Sequence, residues 1–295
     1  MATPIIATST SAFPIQAATL AFSYGELYLT NFSESFSIIE SENNADTNAF
    51  ADGGIVTVEN QAIIEIEIDS SKAFIFAISS ALGQSKDYFG LVETDGRIIL
   101  NFDVSARKTF SFNFTSAIDM ETSIEDPSVE SASAIGEISF FLYDTTGIPK
   151  ETLSDFLTNL LSNTSNSIEK SSLDFFSLFK NINTLGDNDL ITSEKSQNVT
   201  ISSEYSKSST EGKQEFATAS IKGSFKRYFD NPANVTLVAF RTTQSRITAP
   251  EPSDTLALLS VVGLVGVASK GKSKATNSDP FSEKKVIKVT AGNKL

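Results

Sequence analysis

The chain of 295 residues is long enough to bury a large core, and it contains no Cys, His or Trp. Disulfides, thiolate metal sites, Ser-His-Asp triads and His-ligated zinc or iron sites are therefore excluded. The net charge of −13 comes with no Lys or Arg before Lys72 and seven Lys after position 269, so the body is acidic, which disfavours nucleic acid as a partner and suits a secreted protein.

Residues 1–18 are small and mildly apolar, and Ile15 to Ala18 is typical of a small-residue cleavage site. A secretory signal also needs a basic first region and a continuous apolar stretch, which Thr8 to Ser11 interrupts here. We interpret 1–18 as a degenerate or truncated signal peptide. The alternative is a disordered N-terminal tail.

Residues 19–243 are predicted to form an all-β body. Ile64, Ile66 and Ile68 alternate with two glutamates, as in a half-buried strand. The Asp95-Gly96 pair between two apolar runs predicts a hairpin turn. Many short strands separated by regular turns indicate a β-sandwich or jelly roll. The other predicted strands are 19–32, 35–40, 54–58, 73–79, 97–102, 108–115, 136–143, 199–206, 216–229 and 234–241.

One stretch of the body has a helical rather than a strand period. Pro149 suits a first helical turn. Apolar residues then recur at helical spacing, namely Leu153, Phe156, Leu157, Leu160 and Leu161. We predict a helical insertion over about 149–190, with its apolar face packed on a sheet. The alternative is a helix that binds a partner.

Three groups of residues are candidate sites within the body. Asp187, Asn188 and Asp189 offer oxygen ligands for Ca²⁺, although without the ligand order of an EF-hand, and a solvated turn is the alternative. Lys226-Arg227-Tyr228 could contact an acidic polysaccharide. A carboxylate-based hydrolase would need two acids about 5–10 Å apart across a groove. Its candidates are Asp119, Glu121, Glu125 and Asp126.

The C-terminal region, residues 244–295, carries a separate set of features. A linker is predicted over 244–254, because its prolines cannot continue a strand or a helix. It contains Pro250, Glu251, Pro252 and Ser253. The uncharged run 255–269 is predicted to form a short hydrophobic helix that enters a bilayer. The positive-inside bias would hold its basic end in the cytoplasm. That end carries Lys270, Lys272 and Lys274, and 275–295 is predicted to be a disordered tail.

Pro-Glu-Pro, an apolar helix and a basic cluster together resemble the PEP-CTERM sorting signal of exported bacterial proteins. The resemblance implies transient anchoring in the cytoplasmic membrane and processing near Pro250-Glu251-Pro252 by an exosortase, a membrane-embedded protease-transpeptidase. The tail after Lys274 departs from the family, whose members usually stop there. The alternative is a buried hydrophobic C-terminal helix. The body is similar to cyanobacterial proteins with this signal, which implies no particular activity, over 20–32, 110–123, 173–190 and 215–230.

We therefore expect a non-enzymatic, exported protein of the cell envelope or extracellular matrix, with no required cofactor. Extracellular polysaccharide is a possible partner. The alternatives are a secreted carbohydrate- or calcium-binding β-sandwich module and a carboxylate-based hydrolase.

Overall fold

Long antiparallel strands make up almost all of the fold. The computed structural model describes residues 18–85, 87–149, 152–153, 155–156, 172–184, 189–209, 212–249 and 286–289. The strands are β1 (Ala18–Thr30), β2 (Phe36–Ala51), β3 (Ile55–Glu67), β4 (Lys72–Gln84), β5 (Tyr88–Val104), β6 (Lys108–Ser123), β7 (Ser131–Asp144), β8 (Asp174–Asn183), β9 (Leu190–Lys195), β10 (Val199–Ser209), β11 (Gln214–Phe229), β12 (Ala233–Ala249) and β13 (Val286–Val289).

The strands form two sheets that pack face to face, which confirms the predicted all-β, sandwich-like class. Sheet A has the order β10-β11-β6-β1-β4-β3-β13, and sheet B has the order β2-β5-β12-β7-β8-β9. All strand pairs within the described residues are antiparallel. Side chains alternate between the buried inner face and the outer face, as the period of two requires.

The core between the sheets consists of two clusters. In the larger cluster, phenylalanine rings from both sheets pack with centroids 4.6–6.0 Å apart. They are Phe102, Phe110, Phe112, Phe114, Phe140, Phe176 and Phe225. The smaller cluster contains no phenylalanine and includes the alanines Ala21, Ala81, Ala132 and Ala249.

A belt of buried hydroxyl groups joins the two sheets directly. Ser79 of β4 and Ser245 of β12 share a hydroxyl–hydroxyl bond of 2.9 Å. Ser23 of β1 donates to the carbonyl of Ile135 on β7 at 2.8 Å, and Thr94 of β5 donates to a β4 carbonyl at 3.2 Å. Because short side chains bridge the gap, the sheets lie closer here than the ~10 Å of a standard sandwich.

Two predictions about local structure are wrong. Asp95-Gly96 is no hairpin turn, because β5 runs unbroken through it. A Cβ at Gly96 would lie 2.6 Å from Ile75 of the opposite sheet, so close sheet packing explains this glycine. The linker predicted over 244–254 is also wrong as far as Ala249, because β12 extends to that residue.

The predicted insertion at 149–190 is not supported as a single helical segment. Strand β8 occupies 174–183 and pairs with β7 inside sheet B. Only four described residues of the stretch, 152–153 and 155–156, are helical. Leu153 is 1% exposed and packs on the outer face of sheet B, in a cluster with Ile99, Phe141, Tyr143 and Val238. Leu153 therefore packs on a sheet, as we expect for the apolar residues of this stretch.

Most of the C-terminal region lies outside the described residues, including the predicted helix over 255–274. Within the predicted disordered tail, β13 is a strand and pairs with β3, with Val286 opposite Glu65. The proposed signal peptide also lies outside the described residues, except for Ala18 at the start of β1.

Candidate functional site

The predicted sorting and calcium residues are described only in part. The sorting motif, Pro250 to Ser253, and Lys270, Lys272 and Lys274 lie outside the described residues, as do Asp187 and Asn188. Asp189 is among the described residues and directly precedes β9. Its Oδ1 accepts a hydrogen bond of 2.9 Å from the backbone N–H of Asn183, so one carboxylate oxygen caps the end of β8.

The candidate hydrolase carboxylates occupy two different places. Asp119 and Glu121 lie on the outer face of β6, where Asp119 accepts a bond of 2.7 Å from Thr218. Burial and the neighbouring Asp119 charge raise the pKa of Glu121. Asp126 instead caps the turn before β7, accepting bonds from the backbone and hydroxyl of Ser128, which lower its pKa. The candidate carboxylates are therefore divided between the outer face of β6, with Asp119 and Glu121, and the turn before β7, with Asp126.

The basic-aromatic cluster at 226–228 is partly structural. Arg227 donates to the buried carboxylate of Asp174 at 2.8 Å, which ties β11 of sheet A to β8 of sheet B. Ser196 and Asn198 donate to the same carboxylate. Tyr228 remains exposed. The arginine is therefore committed to closing this end of the sandwich.

A shallow cavity of about 340 Å³ opens at the turn ends of β5 and β12. Its polar groups bond to each other: Asn234 Nδ2 donates to Asp103 at 2.8 Å, and the Asn234 N–H donates to Thr146 Oγ1 at 3.0 Å. Because these groups satisfy one another, the cavity offers a ligand few free donors or acceptors.

The outer face of sheet A carries an aromatic platform, formed by Tyr24, Tyr28, Phe74 and Phe76. Tyr28 and Phe74 are direct partners across β1 and β4, and their rings stack at 4.2 Å. Phe76 lies 6.4 Å from Phe74 and meets the Tyr24 ring edge-on at 5.4 Å. Tyr28 is 38% exposed. Aromatic surface of this kind on a sheet face marks an interaction site more often than a lone exposed side chain does.

Carboxylates surround the platform. Glu26 lies opposite Phe76 and accepts a hydrogen bond of 2.7 Å from the Tyr24 hydroxyl, while Glu65 lies opposite Phe74. Burial raises the pKa of Tyr24 and Tyr28, and the Glu26 charge raises it further. The phenols therefore stay protonated, and the face presents flat rings, hydroxyl donors and anionic acceptors.

Sequence reasoning missed this platform, although β1 contains a signal for it. A strand with one solvated face should alternate apolar and polar residues. In β1, the inward series includes Leu27 and Leu29, and the outward series still contains Phe22, Tyr24 and Tyr28. The signal in the sequence is the presence of aromatic residues at the outward positions of β1, where a solvated face would carry polar residues.

No group of three or more Asp or Glu side chains placed to hold a metal occurs among the described residues. Within the same part of the chain, no helix has the length and apolar character needed to cross a bilayer. Comparison with known proteins found no matching family model, no matching curated protein and no matching solved structure.

Proposed function

We propose that this chain is an exported, non-enzymatic protein of the cell envelope or extracellular matrix, delivered by a C-terminal PEP-CTERM signal. The observation that carries the proposal is the sequence Pro250-Glu251-Pro252-Ser253 followed by an uncharged apolar run and Lys270, Lys272 and Lys274. The last long strand, β12, ends at Ala249, directly before the motif. Processing there would leave strands β1–β12 intact.

In this proposal, residues 255–269 form a hydrophobic helix that holds the chain in the cytoplasmic membrane until an exosortase acts. The lysines remain on the cytoplasmic side and the β body lies outside. The absence of Cys and His leaves the body without a thiol nucleophile and without the commonest general base. This supports a binding or structural role.

Mass spectrometry of the exported protein tests the sorting proposal. We expect a C-terminus near the Pro250–Ser253 motif, and we expect replacement of Pro250, Glu251 and Pro252 by alanine to prevent processing. Pro232→Ala, in the turn between β11 and β12, is the matched control and should be processed normally. Exported wild-type protein that still ends at Leu295 would overturn the proposal.

A second candidate function, carbohydrate binding, is favoured by the aromatic platform on sheet A. The C–H faces of pyranose rings pack on flat aromatic rings, and sugar hydroxyls donate to carboxylates. Tyr28 and Phe74 offer the stacking surface, and Glu26 and Glu65 lie beside it as acceptors. A polysaccharide chain lying across β1 and β4 would use both. The acidic surroundings favour a neutral over an anionic glycan.

Affinity electrophoresis through gels containing neutral polysaccharides tests this function. We expect wild-type protein to be retarded in at least one gel and Tyr28→Ala and Phe74→Ala to lose the retardation. Tyr205→Ala is the matched control, because Tyr205 is a 54% exposed tyrosine on the far strand β10 of the same sheet. Equal retardation of all variants would place binding elsewhere, and no retardation of the wild type would reject the function for these glycans.

A further inference from the structure

The two lateral sides of the sandwich end in outer strands. On one side, β2 of sheet B contacts β3 of sheet A, and on the other side β9 and β10 are the outermost strands of their sheets. Among the described residues, the outer edge of β3 is covered only by β13, which is four residues long. An outermost strand presents backbone N–H and C=O groups that can pair with a strand of another chain.

Exposed apolar side chains are concentrated on these four outer strands. β2 has 16 residues without a lysine or a proline, the residues that often protect a sheet edge from pairing. Phe50 of β2 and Ile55 of β3 are 62% and 60% exposed. Most of the large apolar residues that are exposed in the described part of the chain lie on the outer strands, namely Ile38, Phe50, Ile55, Leu190, Ile191 and Tyr205. Apolar surface beside open backbone groups favours the addition of a further strand.

Strand direction allows a second copy of the chain to continue both sheets at once. Without β13, sheet A runs from β10 to β3 and sheet B runs from β9 to β2, with six strands each. Because neighbouring strands are antiparallel, the first and the last of six strands run in opposite directions. A copy placed beside β2 and β3, with the rotation that strand twist requires, would set its β10 antiparallel to β3 and its β9 antiparallel to β2.

The rows of paired residues across sheet A also match at such a junction. One row runs from Ile63 on β3 to Tyr205 on β10, and the adjacent outward-facing row runs from Gln61 to Lys207. If the rows continue into the second copy, its Tyr205 lies beside Ile63. Its Lys207 then lies opposite Gln61 and diagonal to Glu59. Aromatic–β-branched pairs and opposite charges at these positions stabilise antiparallel strand pairs.

The distribution of charge favours this head-to-tail contact over two copies joined through their β2–β3 sides. β2 and β3 carry three acidic residues each and no Lys or Arg. Arg97 of β5 offsets part of this charge by pairing with Glu40 and Glu42. β9 and β10 carry one acidic and one basic residue each. Two β2–β3 sides would therefore repel each other, whereas a β9–β10 side would not be repelled.

Strand β13 occupies the edge of β3 to which the second copy would add. It pairs with Ala62–Glu65, and its Lys288 is the partner of Ile63. Lys284 and Lys285 precede it, so its charge is opposite to that of β3. Processing at the Pro-Glu-Pro motif would separate β13 from the body.

We propose that β13 caps the β3 edge of the unprocessed chain, and that its removal allows mature copies to join head to tail, β3 to β10 and β2 to β9. Because the two surfaces of this contact differ, it continues from copy to copy as a filament. The removal of β13 rests on the sorting proposal, whereas the cap and the contact between copies do not. In the anchored chain, β13 leaves β3 when the apolar run enters the membrane, since the tail then lies on the cytoplasmic side.

Sedimentation velocity of the full chain at increasing protein concentration tests the inference without any processing. We expect the wild type to remain monomeric, because β13 covers β3. Ile287→Pro should assemble into species that keep growing with concentration, because proline removes a backbone donor from β13 and disrupts its pairing. Ile287→Val is the matched control, because it keeps a β-branched residue in the strand and should remain monomeric.

The strand contributed by the second copy is tested in the Ile287→Pro background. Lys207→Glu should raise the concentration required for assembly about tenfold or more, because it places a carboxylate near Glu59. Lys226→Glu makes the same change of charge on β11, an inner strand of sheet A, and should leave assembly unchanged.

Four results would overturn the inference. They are an Ile287→Pro variant that stays monomeric, a wild type that assembles as readily as this variant, equal assembly with and without Lys207→Glu, and a dimer of fixed size, which would indicate a contact between like sides. None of these results bears on the C-terminus of the exported protein, so mass spectrometry decides the sorting proposal separately.

Discussion

Gly25 lies against the guanidinium of Arg241, which extends from β12 across the core towards β1. Arg241 is fully buried, and its Nη1 donates to the backbone carbonyl of Glu137 at 2.9 Å. A Cβ at position 25 would lie within 3.0 Å of the Nε, Cζ and Nη2 atoms of Arg241. We therefore expect Gly25→Ala to displace a buried cation.

The cost follows from the contacts that would be lost. Overpacking a rigid core costs about 1–3 kcal/mol, and losing a hydrogen bond from a charged donor costs about 1.5–3 kcal/mol. The lower conformational entropy of unfolded alanine returns about 0.5–1 kcal/mol. The net loss is about 2–5 kcal/mol in the free energy of unfolding. Burial lowers the pKa of Arg241 to about 9, which means that the charged form is already disfavoured in the core before the hydrogen bond to Glu137 is lost.

Urea unfolding followed by circular dichroism measures this loss. Gly90→Ala is the matched control, because its methyl would meet only Ile247, Val56 and Val58 side-chain atoms at 3.1–3.3 Å. It should cost no more than about 1.5 kcal/mol. In an Arg241→Ala background, the Gly25→Ala penalty should fall by at least about 2 kcal/mol, which a double-mutant cycle detects. An unchanged penalty in that background would refute the reasoning.

Two further predictions concern buried charges. Lys180 is fully buried, and among the described residues its ammonium has one hydrogen-bond partner, Ser206 Oγ at 3.4 Å. Burial lowers the pKa of Lys180 to about 8, although the charge of Asp119 acts in the opposite direction. Lys180→Met should therefore stabilise the protein at pH 7 by about 1–3 kcal/mol in urea unfolding. The unfolded chain keeps the Lys180 proton up to about pH 10.5, whereas the folded chain releases it near pH 8. Between these pH values, the free energy of unfolding of the wild type should therefore rise relative to that of Lys180→Met. A constant difference between the two proteins over that range would contradict the assignment. Asp174→Asn, which leaves Arg227 without its partner charge, should cost about 2–4 kcal/mol in the same assay, whereas a loss below about 1 kcal/mol would show that the pair is not a structural tie.

Local patterns in the sequence predicted the fold class because strand period is a local property. Ile64 and Ile66 do face inward on β3, but Ile68 lies beyond the strand and is exposed, since the turn begins there. The prediction of a turn at Asp95-Gly96 fails because turns and close sheet packing both favour glycine. Only the fold distinguishes the two.

The candidate sites depend on contacts that no local pattern contains. Tyr28 meets Phe74 because β1 pairs with β4, and Glu65 lies beside Phe74 because β3 pairs with β4. Each residue alone reads as an ordinary strand position. Their functional interpretation needs the strand order, which sequence periodicity leaves undetermined.

The position of β12 has a consequence for when the chain can fold. It is the last long strand in the described part of the chain, yet it lies in the middle of sheet B, between β5 and β7. Until residues 233–249 are available, β5 and β7 have no shared neighbour, and the hydroxyl bond from Ser79 to Ser245 cannot form. In a chain that emerges N-terminus first from a ribosome or a membrane pore, sheet B would therefore remain in two separate parts until nearly all of the described strands have emerged. Sheet B would close only when its final strand arrives.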